Sequence, residues 1–203
     1  MKTALLIVDI QQDFCPGGAL GVEEGDRVVE PANRLIQFFE ANRWPIFFTR
    51  DWHPANHCSF AENGGPWPPH CIAKTAGAAF HPDLCIPEES TLVSKATQPD
   101  QEAYSGFEGT DLKGQLDRLK IESVVVAGLA TDYCVKKTAL DAHRAGFQVT
   151  VATDAIRGVN VVPEDARRAI IHMQVRGVNF AESADLINRL GAKEGGLFRP
   201  FAD

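Results

Sequence analysis

The sequence predicts a single α/β domain of three layers, with a mostly parallel central sheet and helices on both faces. Apolar runs of strand length alternate along the chain with segments of helical spacing, the order that produces a parallel sheet. The strand runs are continuously apolar, which is typical of strands covered on both faces. The chain has 203 residues, 44% of them hydrophobic, and is therefore long enough to bury a full core.

The individual elements follow from these patterns in chain order. The first strand covers 4–10 and stays apolar as far as Val8. The first helix covers 28–42, where apolar residues recur at helical spacing and Pro31 lies in the first turn. Further strands are predicted at 45–49, 91–94, 122–128 and 148–152, with a short last one near 178–180, and further helices at 112–119, 135–145 and 163–175.

Charge and cysteine content exclude several classes of protein. The net charge is −7 and no basic stripe occurs, so binding to nucleic acid or to an anionic membrane is not expected. No run is long enough to span a bilayer, and the N-terminal apolar run is too short for a signal peptide. Five cysteines in a chain of this size are expected to be reduced thiols, which predicts a cytoplasmic protein.

One segment, about 51–89, breaks the alternation of strands and helices. It has little periodicity and many Pro, Gly and His residues. A loop of this length inside a compact domain is usually functional. It begins at the carboxyl end of the second predicted strand, where parallel sheets place their ligand sites. We therefore interpret 1–203 as one domain that carries this loop as an insertion.

Cys134 is a candidate nucleophile because it follows a Val-rich strand at the start of a predicted helix. Thr131 is the predicted N-cap, which places Cys134 in the first helical turn. The free N–H groups and the positive end of the helix dipole favour a thiolate there and can also bind an oxyanion. The alternative is a small buried residue that packs the helix on the sheet.

Two charged residues lie at the ends of predicted strands. Asp9 directly follows a buried apolar run, so its pKa is expected to rise, which suits proton transfer. Lys95 ends the third strand and can stabilise a thiolate or a developing negative charge. The ordinary alternatives are a loop-capping aspartate and a solvated lysine. Together with Cys134 they form a set at one edge of the sheet that suits nucleophilic acyl transfer.

The loop carries a second set of candidates, which are side chains that bind metal ions. They are Asp51, His53, His57 and His70. Imidazoles with one carboxylate suit Zn²⁺, Fe²⁺ or Mn²⁺ and leave positions open for water or a substrate atom. One alternative is a loop that uses His for surface hydrogen bonds. Another is a structural zinc site that includes Cys58 and Cys71, although their spacing matches no standard zinc finger.

Taken together, the motifs cover nearly the whole chain in a fixed order. They are Asp9-x-Gln11-x-Asp13-Phe14, Arg50-Asp51-Trp52-His53-Pro54-x-x-His57, Trp67-Pro68-x-His70-Cys71, Lys95, Tyr104-Ser105-Gly106-Phe107-Glu108-Gly109 and Gly128-x-Ala130-Thr131-Asp132-x-Cys134-Val135. This pattern resembles the nicotinamidase (pyrazinamidase) branch of the isochorismatase-like cysteine hydrolases. Cys58 departs from it, because the family pattern has a small residue without a thiol at that position.

The resemblance implies an isochorismatase-like fold and a thioester mechanism. Asp9 would take the thiol proton, and Cys134 would attack the carboxamide carbon. The ammonium group of Lys95 would keep the Cys134 thiolate and the Asp9 carboxylate in their charged forms. The backbone N–H groups of Ala130 and Cys134 would bind the oxyanion, and the peptide bond between Leu129 and Ala130 would be cis. The walls around a flat ring would be Phe14, Trp67 and Tyr104, for which ordinary packing is the alternative.

The activity implied is the hydrolysis of nicotinamide, and of pyrazinamide, to the acid and ammonia in NAD salvage. One divalent ion would serve as cofactor, Zn²⁺ ahead of Fe²⁺ and Mn²⁺, and the only partner would be a small-molecule substrate. The sequence leaves monomer and homo-oligomer open. One alternative is a related cysteine amidase acting on another small amide or ureide. Another is a non-catalytic metal or thiol module, which would leave Asp9 and Lys95 unexplained.

Overall fold

Continuous apolar runs form the strands of one parallel sheet in the computed structural model, which describes residues 1–193. The strands are β1 (Thr3–Val8), β2 (Ile46–Asp51), β3 (Thr91–Lys95), β4 (Ser123–Leu129), β5 (Gln148–Arg157) and β6 (Asn179–Ala181). They lie in the order β3-β2-β1-β4-β5-β6, and each neighbouring pair is parallel. The two central strands, β1 and β4, are buried throughout, which accounts for their unbroken apolar sequences.

Helices cover both faces of the sheet. They are α1 (Val29–Ala41), α2 (Leu112–Arg118), α3 (Lys136–Arg144), α4 (Asp165–Val175) and α5 (Ser183–Lys193). Alternate residues of β1 enter two separate apolar clusters, because side chains of a strand point to opposite faces. One cluster holds the apolar residues of α1 and α5, and the other holds those of α2, α3 and α4. The predicted three-layer α/β architecture is confirmed.

The observed elements differ from the predicted ones mainly at their ends. β5 shows the largest difference, because it runs on to Arg157 although its apolar sequence stops at Ala152. Pairing with β4 continues there after a register shift between Val126 and Gly128. α5 was not predicted from the sequence, and it packs Leu186 and Leu190 into the same cluster as α1. No helix among the described residues combines the length and apolar character needed to cross a bilayer.

The segment between β2 and β3 is irregular, as its sequence predicts. Its one helical turn among the described residues is the 3₁₀ turn Ala61–Asn63. Isolated bridges join His53 to Ile72 and Phe60 to Trp67, so the segment folds back on itself. It begins at the carboxyl end of β2 and therefore lies beside the edge of the sheet at which all the strands end.

β1 and β4 approach each other very closely at Gly128. This residue has φ of +126° and is the register partner of Val8. A Cβ at this position would overlap the carbonyl oxygen of Val8. Only glycine combines this backbone conformation with such a close approach. As a result, Asp9 and the turn that carries Cys134 leave the sheet side by side.

Candidate active site

The ends of the strands bring the three predicted catalytic residues together. Asp9 directly follows β1, Lys95 is the last residue of β3, and Cys134 lies in the turn after β4. The Nζ atom of Lys95 lies 2.9 Å from Oδ2 of Asp9 and 3.5 Å from Sγ of Cys134. β2 lies between β3 and β1, so the long side chain of Lys95 spans one strand to reach its partners.

Lys95 is fully buried among negatively charged and polar groups. Its Nζ atom lies 2.5 Å from Oδ1 of Asp51 and donates to the carbonyl oxygen of Ala103 at 3.1 Å. Burial alone would lower the pKa of Lys95, but Asp51 and Asp9 raise it well above its usual value. The side chain is therefore an ammonium ion at neutral pH and compensates two buried carboxylates at once.

Asp9 is a fully buried carboxyl group at the start of a turn. Its backbone has φ of +48°, a left-handed conformation that is uncommon outside glycine. The hydroxyl of Thr49 donates to Oδ1 of Asp9 at 2.6 Å. Burial raises the pKa of Asp9 above its usual value, whereas Lys95 and the bond from Thr49 lower it. The rise agrees with the sequence prediction and suits a group that accepts and returns a proton.

Two expectations about Cys134 are wrong. Thr131 is not an N-cap, because Ala130 supplies the extended residue that precedes a π-helical turn, Thr131–Val135. Cys134 lies near the end of this turn, and α3 begins only at Lys136. The thiolate is not favoured either, because burial raises the pKa of Cys134 and Asp9 adds to the rise, while Lys95 opposes it. The resting group is a thiol, so its reaction requires a base.

The backbone ahead of Cys134 has an unusual conformation. The peptide bond between Leu129 and Ala130 is cis, as predicted. The carbonyl oxygen of Ala130 accepts the N–H groups of Tyr133 and Val135, each at 3.1 Å. These contacts fix the turn that carries the N–H groups of Ala130 and Cys134. Their assignment as an oxyanion hole stays a prediction.

Three of the four predicted metal ligands face one another. Donor atoms of Asp51, His53 and His70 lie within 4.8 Å of one another, and all three residues are buried. Nδ1 of His53 bonds the carbonyl oxygen of His70 at 3.0 Å, and Nδ1 of His70 bonds that of Pro68 at 2.8 Å. The Nε2 atom of His53 is buried and has no hydrogen-bond partner among the described residues. Imidazoles oriented in this way are typical of metal ligands, so the donor set fits a divalent ion.

The fourth predicted ligand, His57, is placed differently. Its ring lies 4.3 Å from that of His53, and it groups with His53 and the exposed Glu102 instead of with Asp51. Among the described residues, Cys58 and Cys71 enter none of the metal-binding groups. These contacts do not support the structural zinc alternative.

A narrow pocket opens above Cys134. It is lined by all three predicted substrate-binding residues, Phe14, Trp67 and Tyr104, and also by Cys134 and Asp51. Sequence reasoning missed three further wall residues, Leu20, Tyr133 and Val159. The indole N–H of Trp67 donates to the hydroxyl of Tyr104 at 2.9 Å, and the ring of Tyr133 lies 5.0 Å from that of Trp67. Tyr133 was the easiest of the three to anticipate, because it precedes Cys134.

Gln11 also belongs to the site, although the sequence analysis gave it no role. Its fully buried amide donates to the carbonyl oxygens of Asp51 at 2.8 Å and Ala78 at 2.9 Å. Its Oε1 atom accepts the N–H of Asp51 at 2.8 Å. Gln11 therefore fixes the backbone of Asp51 from both sides. The sequence feature that could have indicated this role is the position of Gln11 two residues after Asp9 in the same motif.

Comparison with known proteins agrees with this geometry. The sequence matches the Isochorismatase domain family over residues 3–185. It is 40% identical to the Nicotinamidase of Escherichia coli (strain K12) over 203 residues, which covers 90% of this chain and 95% of that relative. The pyrazinamidase of Pyrococcus horikoshii, solved in complex with zinc, is 48% identical with a TM-score of 0.86, covering 90% of this chain and 99% of that one.

A third similar protein was solved with a small molecule bound. It is PnC1 from L. infantum in complex with nicotinate, which is 33% identical with a TM-score of 0.81, covering 90% of this chain and 93% of that one. The family match spans most of the sequence, and each of these two solved structures covers 90% of this chain. The chain therefore belongs to the isochorismatase domain family.

Proposed function

We propose that this chain hydrolyses nicotinamide to nicotinate and ammonia, and pyrazinamide to its acid, as a step in NAD salvage. The observation that carries the proposal is that Asp9, Asp51 and Cys134 surround the ammonium group of Lys95, and that Asp51 and Cys134 also line an aromatic pocket. Relatives named nicotinamidase and pyrazinamidase support the substrate class. The five described cysteines are free thiols, which supports a cytoplasmic location.

The reaction begins with a proton transfer, because Cys134 is a thiol at rest. Asp9 takes this proton, and Sγ of Cys134 attacks the carboxamide carbon. The bond from carbon to nitrogen then breaks, and Asp9 gives the proton to the departing nitrogen, which leaves as ammonia. A water molecule attacks the thioester and loses a proton to Asp9. The acid leaves, and Asp9 returns the proton to the sulfur.

Two further groups stabilise charge during these steps. The backbone N–H groups of Ala130 and Cys134 receive the oxygen of the tetrahedral intermediate, an arrangement that stabilises acyl-transfer transition states in enzymes generally. Lys95 contacts Asp9 and Cys134 together, so its ammonium group stabilises negative charge on whichever of them carries it. This shared contact lets the proton move from sulfur to carboxylate without leaving an uncompensated buried charge.

Asp51, His53 and His70 are the residues that would hold a divalent ion, with Zn²⁺ as the first choice. The Pyrococcus horikoshii pyrazinamidase in complex with zinc supports that choice. When bound, the ion supplies a Lewis-acidic position beside the pocket, to which a ring nitrogen can coordinate. The aromatic walls Phe14, Trp67 and Tyr104 hold the flat ring so that its carboxamide faces Cys134. Orientation of this kind can supply much of a rate enhancement.

An amide panel with ammonia detection, run beside metal analysis of the purified protein, tests the proposal. Nicotinamide and pyrazinamide are expected to release ammonia, and the protein is expected to contain about one divalent ion per chain. Release from another small amide or ureide, with none from nicotinamide, would replace the substrate and keep the cysteine chemistry. No release from any amide would favour a non-catalytic metal or thiol module.

A further inference from the structure

Both ring nitrogens of His57 are engaged inside the protein. Nε2 lies 3.0 Å from the carbonyl oxygen of Gln101, which can only accept a hydrogen bond, so Nε2 carries the proton. Nδ1 is then the acceptor, and it receives the N–H of Ser59 at 3.2 Å and the hydroxyl of Ser59 at 2.7 Å. The side chain is fully buried. In this tautomer neither nitrogen has a lone pair free for a metal ion.

The tautomer of His57 is the opposite of the one found at His53 and His70, whose Nε2 atoms are free to bind a metal ion. His53 and His70 each place Nδ1 against a carbonyl oxygen, which puts the proton on Nδ1 and leaves the lone pair on Nε2. The Nε2 atom of His53 is the buried one without a hydrogen-bond partner among the described residues. His57 instead bonds its carbonyl partner through Nε2. The group of His53, His57 and Glu102 therefore lacks a free nitrogen at His57.

The partner of His57 belongs to a segment that borders the catalytic site on several sides. We call residues 99–104 the bridging segment. Its Pro99 carbonyl accepts the N–H of Cys58 at 2.7 Å, and its Ala103 carbonyl accepts Nζ of Lys95 at 3.1 Å. Its last residue, Tyr104, forms a wall of the pocket. His57 and Cys58 thus fasten one end of this segment to the metal-binding loop.

We propose that His57 is a positioning residue that fixes the bridging segment, and through it Tyr104, and is not a fourth metal ligand. This role replaces the ligand role predicted from the sequence. The inference rests on the proposed function for the identity of the substrate and for the ion at Asp51, His53 and His70. It assigns to His57 an effect on substrate binding that does not pass through the ion.

Replacement by glutamine separates the two roles. The amide nitrogen of glutamine can take the place of Nε2 and donate to the Gln101 carbonyl, but an amide is a poor zinc ligand. The variants are His57→Gln, His57→Ala and, as a ligand reference, His70→Gln. Cys58→Ala is the matched control, because it removes the neighbouring side chain and keeps the N–H that bonds Pro99. Each is loaded with Co²⁺ alone for its visible spectrum and for a chelator competition, and then assayed with nicotinamide.

If His57 is a positioning residue, His57→Gln keeps the wild-type Co²⁺ spectrum and binds Co²⁺ with an affinity within about threefold of the wild type. His70→Gln, in contrast, loses at least about tenfold in Co²⁺ affinity. His57→Ala raises KM for nicotinamide about tenfold with kcat within about threefold, and His57→Gln restores KM. Cys58→Ala behaves as wild type. The proposal is overturned if His57→Gln changes the spectrum and loses the ion as His70→Gln does, or if His57→Ala leaves KM unchanged. A wild-type protein that releases no ammonia would instead contradict the proposed function.

Discussion

The catalytic strand ends and the metal-binding loop are held in place by different interactions. Asp9, Lys95 and Cys134 take their positions from the register of the sheet, in which Val8 pairs with Gly128 and Asp51 with Lys95. The rings of His53 and His70 are instead oriented by one hydrogen bond each, between Nδ1 and a backbone carbonyl oxygen. The strand ends are therefore fixed by the hydrogen bonds that form the sheet, whereas each of these two rings depends on a local contact.

Asp51 is the residue that the two regions share. It is the last residue of β2, contacts Lys95, and faces His53 and His70. Because of this difference in support, a substitution of Asp9, Lys95 or Cys134 should remove a chemical group and leave the metal in place. A substitution in the loop should remove the metal and leave the strand ends in place. Variants in each region can therefore show whether the two regions are separable.

The largest effect is expected from Cys134→Ala. Removal of a nucleophile typically lowers turnover by several orders of magnitude. The fold and the metal content should be unchanged, because Cys134 does not belong to the group of Asp51, His53 and His70 that is proposed to hold the ion. Steady-state kinetics and metal analysis on the same preparation measure both. Retention of more than about a tenth of wild-type turnover would contradict the cysteine mechanism.

Asp9→Asn should come next, because it keeps the shape of the side chain and removes the base. Turnover of nicotinamide should fall by at least about a hundredfold, the usual contribution of a positioned proton acceptor. Metal content should again be unchanged. Normal turnover in this variant would show that Asp9 is only a residue that ends a strand.

His70→Ala tests the other region. Metal content and activity should fall in parallel, by at least about tenfold, because the variant removes one of three grouped ligands. The far-ultraviolet circular dichroism spectrum should match that of the wild type, since the sheet does not depend on this loop. An enzyme that keeps its full rate after complete chelation would show that no ion takes part.

Benzamide tests the metal-binding loop from the side of the substrate. It lacks the ring nitrogen of nicotinamide but has nearly the same shape, so the aromatic walls accept both rings. Its kcat/KM should be lower by about tenfold or more, because orientation by the ion is lost. Picolinamide, with its nitrogen in another position, should also react poorly. Equal rates for benzamide and nicotinamide would favour the broader amidase.

Thr49→Val should give the smallest effect, which is seen in the pH profile. Asp9 must be ionised to take the thiol proton, so activity falls as pH falls through the pKa of Asp9. The bond from Thr49 lowers that pKa, and its removal should move the acid limb to higher pH. Activity on the alkaline side of the limb should be similar to that of the wild type. A limb that stays in place or moves to lower pH would contradict the assignment of Asp9.

Sequence patterns predicted the regular part of the molecule better than the irregular part. Strands and most helices follow from hydrophobic periodicity, and Asp9 and Lys95 could be placed because parallel strands end at one edge. The N-cap at Thr131 was wrong, because a turn with π-helical bonding gives the same periodic signal as the start of an α-helix. The expected thiolate at Cys134 was also wrong, because burial raises the pKa of the thiol and Asp9 adds to the rise.

The loop residues show the limit of sequence reasoning more clearly. His53, His57 and His70 are chemically equivalent in the sequence, yet His53 and His70 meet a carbonyl oxygen through Nδ1 and His57 meets one through Nε2. The tautomers depend on which carbonyl oxygen each ring meets, and no periodic pattern encodes that. Gln11 was missed for a related reason, since its partners at Asp51 and Ala78 are distant in the chain.

The close approach at Gly128 has a consequence for protein engineering. A library that randomises residue 128 should return only glycine among active clones, however permissive the screen, because any side chain would push β4 away from Val8. A design that transplants this catalytic set to another parallel sheet would need to copy that spacing as well as the three side chains. The smallest residue in the motif therefore limits which scaffolds can host the chemistry.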